Sequence, residues 1–417
     1  MFTHLPTRSP CCTMRCMTFF RALQGSPIAW LFTLISLVYF INGLRLGRTV
    51  WENRQEFTEG ALQPWKKQWA ERAAFLLAVP PGVFIHELFH AIPVWAFGGQ
   101  VVDVGYGFYW GYVAPAGVFS NAQEWFISLA GTLGTLLYGF GVWLYLRRSN
   151  SSAWRYFGLR TLRFHLYYGL LYYPLFTLFT FIGDWRTIYN FEATPLLSGV
   201  TLAVHGASLA LFWWTDRRGW YEVPAFESGA EEERLAELRQ QVAQKPGDEQ
   251  AQLQLVEFLR QRGATSEARD QLRRFLRQHP RSAEGHLIMA YLEADGRERV
   301  GRGARNQAQE ALQLGLQDSA NEAAAHTLLA QYLLQVEKWD EALQHLDQAL
   351  GTGVKLPILN RAQLHYLRAM AQRRRGRYNE ADQEIAQAIS LAESGGHQQL
   401  AERYRNEQKI IAHHRGR

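Results

Sequence analysis

The segment FIHELFHAIPVWAFGG, residues 84 to 99, contains an HExxH sequence formed by His86, Glu87 and His90. On a helix, residues i and i+4 lie on one face, so both imidazoles can bind one metal ion. The intervening Glu87 can take a proton from a zinc-bound water, as the glutamate of this motif does in metalloproteases. Because residues 73 to 97 are otherwise apolar, each ionisable group there costs a few kcal/mol in lipid unless it is paired or hydrated. The pattern predicts a zinc site within a membrane helix.

Four more apolar segments surround this one, and each is close to the roughly 20 residues that a membrane-spanning helix needs. They run from about 28 to 44, 125 to 146, 162 to 182 and 195 to 214. The segment from 125 to 146 carries several glycines, which let helices approach closely in lipid. The sequence therefore predicts a polytopic membrane helix bundle of about five spans.

A glycine-rich stretch separates the HExxH segment from the next apolar segment. It reads GGQVVDVGYGFYWGYVAPAG, residues 98 to 117, and has valines and aromatic residues but no Lys or Arg. This composition favours short strands joined by turns. Because strand edges near a membrane must be covered, we expect a short membrane-associated β region that packs on the helices or binds a ligand.

The C-terminal half of the chain has a different composition, rich in Ala, Gln, Glu, Arg and Leu, with no long apolar run. Helix-turn-helix patterns recur there, and the sequences WDEA (339 to 342) and YNEA (378 to 381) occupy equivalent places. A period near 34 residues is typical of tetratricopeptide repeats. We expect an α-helical repeat solenoid of about four repeats, with a generic helical bundle as the alternative.

These patterns divide a mainly α chain into four parts. They are an N-terminal tail (1 to 27), a transmembrane domain (28 to 219), a linker (220 to 232) and a repeat domain (233 to 417). The three cysteines, Cys11, Cys12 and Cys16, all lie in the tail, so they form neither a disulfide framework nor a cysteine zinc site. The net charge is +6, but there is no dense basic cluster, and we expect no nucleic-acid partner.

A catalytic zinc site usually has three protein ligands and one open position. Our choice for the third ligand is Asp184, which follows Gly183 at the end of the fourth apolar segment. The alternative is a helix-end residue that pairs with Arg186. Two weaker metal candidates, His165 and His205, could equally bond backbone carbonyl groups. Nearby polar residues have less support as site residues. Asp103 and Glu124 are interpreted as charges at the membrane interface. Asn121 could hydrogen-bond a peptide or an oxyanion, but it is equally compatible with a turn.

Residues 73 to 200 resemble the bacterial branch of the site-2 protease type of intramembrane zinc metallopeptidase. The resemblance rests on the HExxH segment, the glycine-rich stretch, FISLAGTLGTLL (126 to 137) and GDW (183 to 185). It implies that His86, His90 and Asp184 are zinc ligands and that Glu87 is the general base. It also implies hydrolysis of peptide bonds in or near transmembrane segments, in a bacterial inner membrane. One departure is Trp185, which stands where the family has glycine.

The implied substrate is a membrane protein whose helix must unwind before cleavage. The strand region, with Val101, Val102 and Val104, could pair with such a segment by strand addition. Repeat arrays form concave surfaces that bind proteins or peptides, so we expect the repeat domain to recruit a substrate or regulator. The lipid bilayer is the expected partner of the transmembrane domain. Two alternatives stay open, namely a catalytically silent membrane scaffold that assembles partners through its repeats and a hydrolase of a lipid or another non-peptide substrate.

Two arguments disagree about orientation in the membrane. The loops around residues 45 to 72 and 147 to 163 are rich in Arg and Lys, whereas the strand region has none. The positive-inside rule places those loops and, with five spans, the repeat domain in the cytoplasm. The family resemblance implies the reverse, because its active site opens towards the cytoplasm. We follow the charge rule for the repeat domain.

Overall fold

A computed structural model describes residues 27 to 180, 183 to 294, 299 to 352 and 356 to 415. The predicted N-terminal tail, with its three cysteines, lies outside the described residues except for its last residue. The chain divides into two compact units, Met1–Arg234 and Leu235–Arg417. This division falls just after the predicted linker, within the helix Gly229–Gln244.

The first unit is helical apart from one small sheet. Its helices, in chain order, are α1 (Pro27–Glu52), α2 (Arg54–Thr58), α3 (Pro64–Leu76), α4 (Val79–Ala96), α5 (Asn121–Leu146), α6 (Ser152–Tyr167), α7 (Tyr173–Thr180), α8 (Asp184–Ile188) and α9 (Pro195–Arg217). Three helical segments of the described chain are long and apolar enough to cross a membrane, namely Pro64–Ala96, Asn121–Leu146 and Pro195–Arg217. The first contains α3 and α4, so the HExxH sequence lies in its second half. Five spans are not shown.

The fourth predicted span is not one regular helix. A π-helical turn, Tyr168–Tyr172, separates α6 from α7. Pro174 has no N–H to donate to the carbonyl oxygen of Leu170, four residues earlier, so a regular α-helix would leave that oxygen without its usual partner. The oxygen instead lies 2.6 Å from Nε2 of His205 on α9. The interruption therefore also provides a polar contact between α9 and the rest of the bundle.

The stretch predicted to form strands contains a two-stranded antiparallel sheet of β1 (Gln100–Tyr106) and β2 (Gly111–Ala116). Val104 pairs with Val113, and the register shifts between Val101 and Asp103, which leaves Val102 as the extra residue on β1. Two tyrosine hydroxyls tie the hairpin to the helices. Tyr106 donates to the carbonyl of Pro80 at 2.8 Å, and Tyr109 donates to that of Leu76 at 2.9 Å.

Helix α5 begins with a capping box, in which the side chains of Ser120 and Gln123 each bond the other residue's backbone N–H. Its glycines then allow close packing on α4. A Cβ on Gly134 would lie 2.6 Å from Cγ of Phe89, and one on Gly131 would lie 2.2 Å from Nε2 of His90. The backbone of α5 therefore packs directly against the helix face that carries the HExxH histidines.

The second unit is a series of antiparallel helix pairs. After α10 (Gly229–Gln244), the helices are α11 (Glu249–Gln261), α12 (Thr265–Gln278), α13 (Ala283–Ala294), α14 (Arg302–Leu314), α15 (Ser319–Gln335), α16 (Trp339–Gly351), α17 (Ile358–Arg374), α18 (Tyr378–Ser394) and α19 (Gln398–Arg415). The WDEA and YNEA sequences begin α16 and α18. Their alanines, Ala342 and Ala381, are fully buried, which explains why a small residue recurs at this place in the repeat.

Candidate metal centre

Three side chains from two helices meet in the first unit. Helix α4 supplies His86 and His90, and α8 supplies Asp184 as its first residue. The two Nε2 atoms lie 3.0 Å apart, and Oδ2 of Asp184 lies 3.2 Å from Nε2 of His86 and 3.1 Å from that of His90. Within the described ranges, no other set of three His, Cys, Asp or Glu side chains converges in this way.

Hydrogen bonds to α5 orient both imidazoles. Nδ1 of His90 lies 2.7 Å from the carbonyl oxygen of Ile127, which can only accept, so Nδ1 carries the proton and Nε2 a lone pair. Nδ1 of His86 lies 3.0 Å from Oγ1 of Thr135. That hydroxyl donates to the carbonyl of Gly131 at 3.3 Å, so its oxygen accepts from His86. Both Nε2 lone pairs therefore point into the triangle, as metal-binding histidines require.

The dimensions of the triangle fit a zinc ion. Zinc binds imidazole nitrogen and carboxylate oxygen at about 2.0 to 2.2 Å with tetrahedral geometry, which puts neighbouring ligand atoms about 3.3 to 3.5 Å apart. The observed separations of 3.0 to 3.2 Å require only a slight expansion. Without a cation or an extra proton between them, three lone-pair atoms at these distances repel one another. Three protein ligands of a zinc ion would leave its fourth position for a water or a substrate.

Two neighbours hold Asp184 in place. Gly183 has φ of 112°, which favours glycine, and a Cβ there would lie 2.5 Å from Cγ2 of Thr177. The Tyr173 hydroxyl donates to Oδ2 of Asp184 at 2.7 Å, and its ring meets His86 edge-on at 5.3 Å. The same Oδ2 therefore faces Tyr173 and both histidines, which is the position expected of a metal ligand.

Glu87 lies beside the triangle without belonging to it. Its side chain is buried, and strand β2 passes against it, since a Cβ on Gly111 would lie 2.7 Å from Cγ of Glu87. The sheet therefore covers the glutamate and approaches the centre closely. Glu87 therefore adjoins the metal-binding candidates in sequence but is not one of the three converging side chains.

The residues predicted to bind substrate lie on the hairpin and at the start of α5. Val102 and Val104 are 47% and 58% exposed, and Val101 is half-buried. In the described chain, β1 pairs only with β2, so no other strand lies along its outer edge. Asn121 is the first residue of α5, and its side-chain amide donates to the carbonyl of Ala193 at 3.3 Å, so it joins the loop before α9 and not the metal-binding triangle.

The two weaker histidine candidates do not join the triangle. Nδ1 of His165 lies 2.8 Å from the carbonyl of Thr161. His205 bonds the carbonyl of Leu170 through Nε2 and the hydroxyl of Tyr189 through Nδ1. Both histidines therefore form the backbone contacts that were the alternative to metal binding.

Sequence reasoning missed Tyr173 and Thr135. Tyr173 lies 11 residues before Asp184, across a π-helical turn, so no local spacing links the two. Thr135 lies in the FISLAGTLGTLL segment that was already singled out. Thr135 lies one helical turn from Gly131 on the same helix face, and this spacing could have indicated that Thr135 faces the histidines.

Comparison with known proteins supports the repeat prediction for part of the second unit. A tetratricopeptide repeat family model matches residues 249 to 292, which confirms the repeat prediction over α11, α12 and most of α13. The match to the crystal structure of MamA has 17% sequence identity and covers 40% of this chain and 92% of the MamA chain, with a TM-score of 0.32. A thermophilic TPR protein from Thermus thermophilus is 19% identical, and the match covers 43% of this chain and 90% of that protein, also with a TM-score of 0.32. No curated protein matches the chain, and no site-2 protease family is matched.

Proposed function

We propose that this protein is a membrane-embedded zinc hydrolase that cleaves peptide bonds in or near transmembrane segments of other proteins. The observation that supports this most strongly is the convergence of three lone-pair atoms, from His86, His90 and Asp184, within 3.2 Å of one another. Lone pairs of neutral nitrogens and a carboxylate repel one another at these distances unless a cation or an extra proton lies between them. The apolar helices around the centre support a membrane setting.

In this proposal, His86, His90 and Asp184 hold the ion, and α5 holds the two imidazoles. Zinc supplies a Lewis acid that polarises a carbonyl group and lowers the pKa of a water molecule. Glu87 lies next to His86 on the covered side of the centre, where its carboxylate can accept the proton of an attacking water. The same group can then donate this proton to the leaving amine nitrogen.

The exposed edge of β1 supports a peptide substrate over a lipid one. A helical segment hides its carbonyl oxygens in internal hydrogen bonds, so cleavage requires it to unwind. An unwound segment can add as a third strand along β1, where Val102 and Val104 are exposed. Strand β2, which pairs with β1, packs against Glu87, so the sheet connects the proposed peptide-binding edge to the proposed base.

Zinc content tests the proposal directly. The parent protein, purified in detergent, should hold roughly one zinc per chain at the first unit, and His86→Ala or Asp184→Ala should lose it. Glu87→Gln should keep the ion and lower the cleavage rate by about 100-fold or more, the usual contribution of a general base. Glu124→Gln, at the exposed start of α5, is the matched control. A parent that holds no zinc under conditions that do not strip metals would contradict the assignment.

A second candidate function is a membrane scaffold without catalysis. The tetratricopeptide repeat match at residues 249 to 292 favours it, because such repeats bind protein partners through their concave surface. Both candidate functions require a protein partner bound to the repeats, but only the hydrolase requires the carboxylate of Glu87. If Glu87→Gln behaves like the parent in cells while removal of the residues after Arg234 abolishes function, the scaffold is correct. Retained zinc in the truncated chain would show that its first unit is intact.

A further inference from the structure

Three helix pairs of the second unit place a histidine at equivalent positions. Nδ1 of His286 on α13 lies 2.7 Å from Oε1 of Gln307 on α14. Two residues from the next pair, His326 on α15 and His345 on α16, face each other with 2.9 Å between their Nδ1 atoms. In the following pair, Nδ1 of His365 on α17 lies 2.7 Å from Oε2 of Glu384 on α18.

The middle pair is chemically different from its two neighbours. In the outer pairs, an imidazole N–H donates to a side-chain oxygen, and one histidine is enough. In the middle pair, both partners are imidazoles, and their rings lie 5.1 Å apart at 33°. A glutamine at position 345 would provide the same hydrogen bond, as Gln307 does for His286. The second imidazole therefore adds a property that helix packing alone does not need, namely a second ring nitrogen directed at the first.

The separation of these nitrogens is nearly that of the HExxH pair, 2.9 Å against 3.0 Å. A carboxylate also lies one helical turn before each histidine, Glu322 on α15 and Glu341 on α16, on the same helix face. Glu341 is ion-paired with Lys338 at 2.8 Å. Among the described residues, neither carboxylate converges with the two ring nitrogens into a set of three, so the two imidazoles are the candidate protein ligands.

We propose that His326 and His345 form a second metal site, which binds a divalent transition-metal ion such as zinc and joins α15 to α16. Imidazole nitrogens suit zinc, nickel and copper, and water completes the coordination. The ligands come from both helices of one repeat, so the bound ion stabilises that repeat against local opening. This site is independent of the proposed hydrolase centre.

The environment of the pair limits its contact with water. His326 is only 8% exposed. The two rings face each other across the helix pair, with 2.9 Å between their Nδ1 atoms, so an ion bound between them would be largely shielded from water.

Zinc titration of the metal-stripped full chain in detergent tests this site. We expect His326→Gln and His345→Gln each to remove one zinc equivalent, or to weaken it at least about tenfold, as loss of one of few ligands does. His365→Gln, the same change at the equivalent position of the next repeat, should leave the binding unchanged. Zinc should also raise the unfolding temperature of the parent repeats but not that of His345→Gln.

The design separates this site from the first-unit centre, since none of these variants touches His86, His90 or Asp184. The glutamine keeps an acceptor for His326, so metal-free His345→Gln should show the helical circular dichroism of the parent. A parent that binds the same zinc equivalents with the same affinity as His345→Gln would overturn the proposal, and so would an equal loss in His365→Gln.

Discussion

Nδ1 of His90 donates a hydrogen bond to the carbonyl oxygen of Ile127 at 2.7 Å. A carbonyl group of α5, not a side chain, therefore sets the tautomer of this histidine. The helix can provide it because Gly131, one turn later, lets the two backbones approach. Metal affinity at this centre should then depend on residues of α5 that never touch the ion.

Thr135→Val should weaken zinc binding at the first-unit centre by about 10 to 100 fold. The change keeps the shape of the side chain but removes the oxygen that accepts from Nδ1 of His86. The imidazole then loses its fixed orientation. Competition with a chromogenic chelator measures the affinity.

Thr132→Val is the matched control for this experiment. Thr132 is also buried on α5, but its hydroxyl has no hydrogen-bond partner in the described structure. Equal affinities for Thr135→Val and the parent would show that the hydroxyl does not orient His86.

Gly131→Ala should abolish zinc binding. The added Cβ would lie 2.2 Å from Nε2 of His90 and 2.8 Å from that of His86, where no carbon can be accommodated. Either the ligands or the helix must move, at a cost of about 1 to 3 kcal/mol. Gly141→Ala, on the same helix with open space around it, should bind zinc like the parent. Metal analysis after gel filtration compares the two, and a zinc-loaded Gly131→Ala variant would refute the proposed close approach.

Tyr173→Phe should lower zinc affinity by about tenfold or more while the chain stays folded. The hydroxyl donates to Oδ2 of Asp184 at 2.7 Å, the same oxygen that faces both histidines, so its loss frees the carboxylate to rotate. Tyr172→Phe is the neighbouring control, because that ring is 54% exposed. Zinc release rates measured with excess chelator should rise only for Tyr173→Phe, and identical rates would exclude a positioning role.

The HExxH sequence could indicate the two histidines because their relationship is local, four residues on one helix. Asp184 was within reach of the sequence because a glycine and an aspartate end an apolar segment. Thr135, Ile127 and Tyr173 were not, because their roles depend on how α5 and α7 pack against α4. The carbonyl of Ile127 carries no side-chain signature at all.

Some elements were predicted from the sequence and others were not, according to whether local residues determine them. The repeats were predictable because the WDEA and YNEA sequences place buried small residues, Ala342 and Ala381, at equivalent positions of two helix pairs. The break between α6 and α7 was missed because hydropathy counts apolar residues and ignores the missing N–H of Pro174. The contact between His205 and Leu170 that satisfies the free carbonyl joins residues 35 apart, which no local pattern reveals.

The repeat unit should lose stability as the pH falls below about 6.5, the usual histidine pKa. Burial lowers the pKa of His326 and His345 in the folded chain, so the unfolded chain takes up protons first. Above neutral pH, both states are uncharged at these residues and the difference vanishes. In the acid range, each histidine contributes a slope of up to about 1.4 kcal/mol per pH unit. The carboxylates Glu322 and Glu341 reduce this slope but do not reverse it, since both pKa values are lowered despite them.

Urea unfolding followed by circular dichroism between pH 8 and 5.5, with a chelator present to exclude metal effects, measures this slope. His345→Gln should unfold with a shallower pH dependence than the parent, because only one buried imidazole is then left to protonate. The glutamine still accepts from His326, so the two proteins should have similar stability at pH 8. A parent whose midpoint is constant across this range, or a variant that falls as steeply, would show that the pair is already charged or accessible to water in the folded chain.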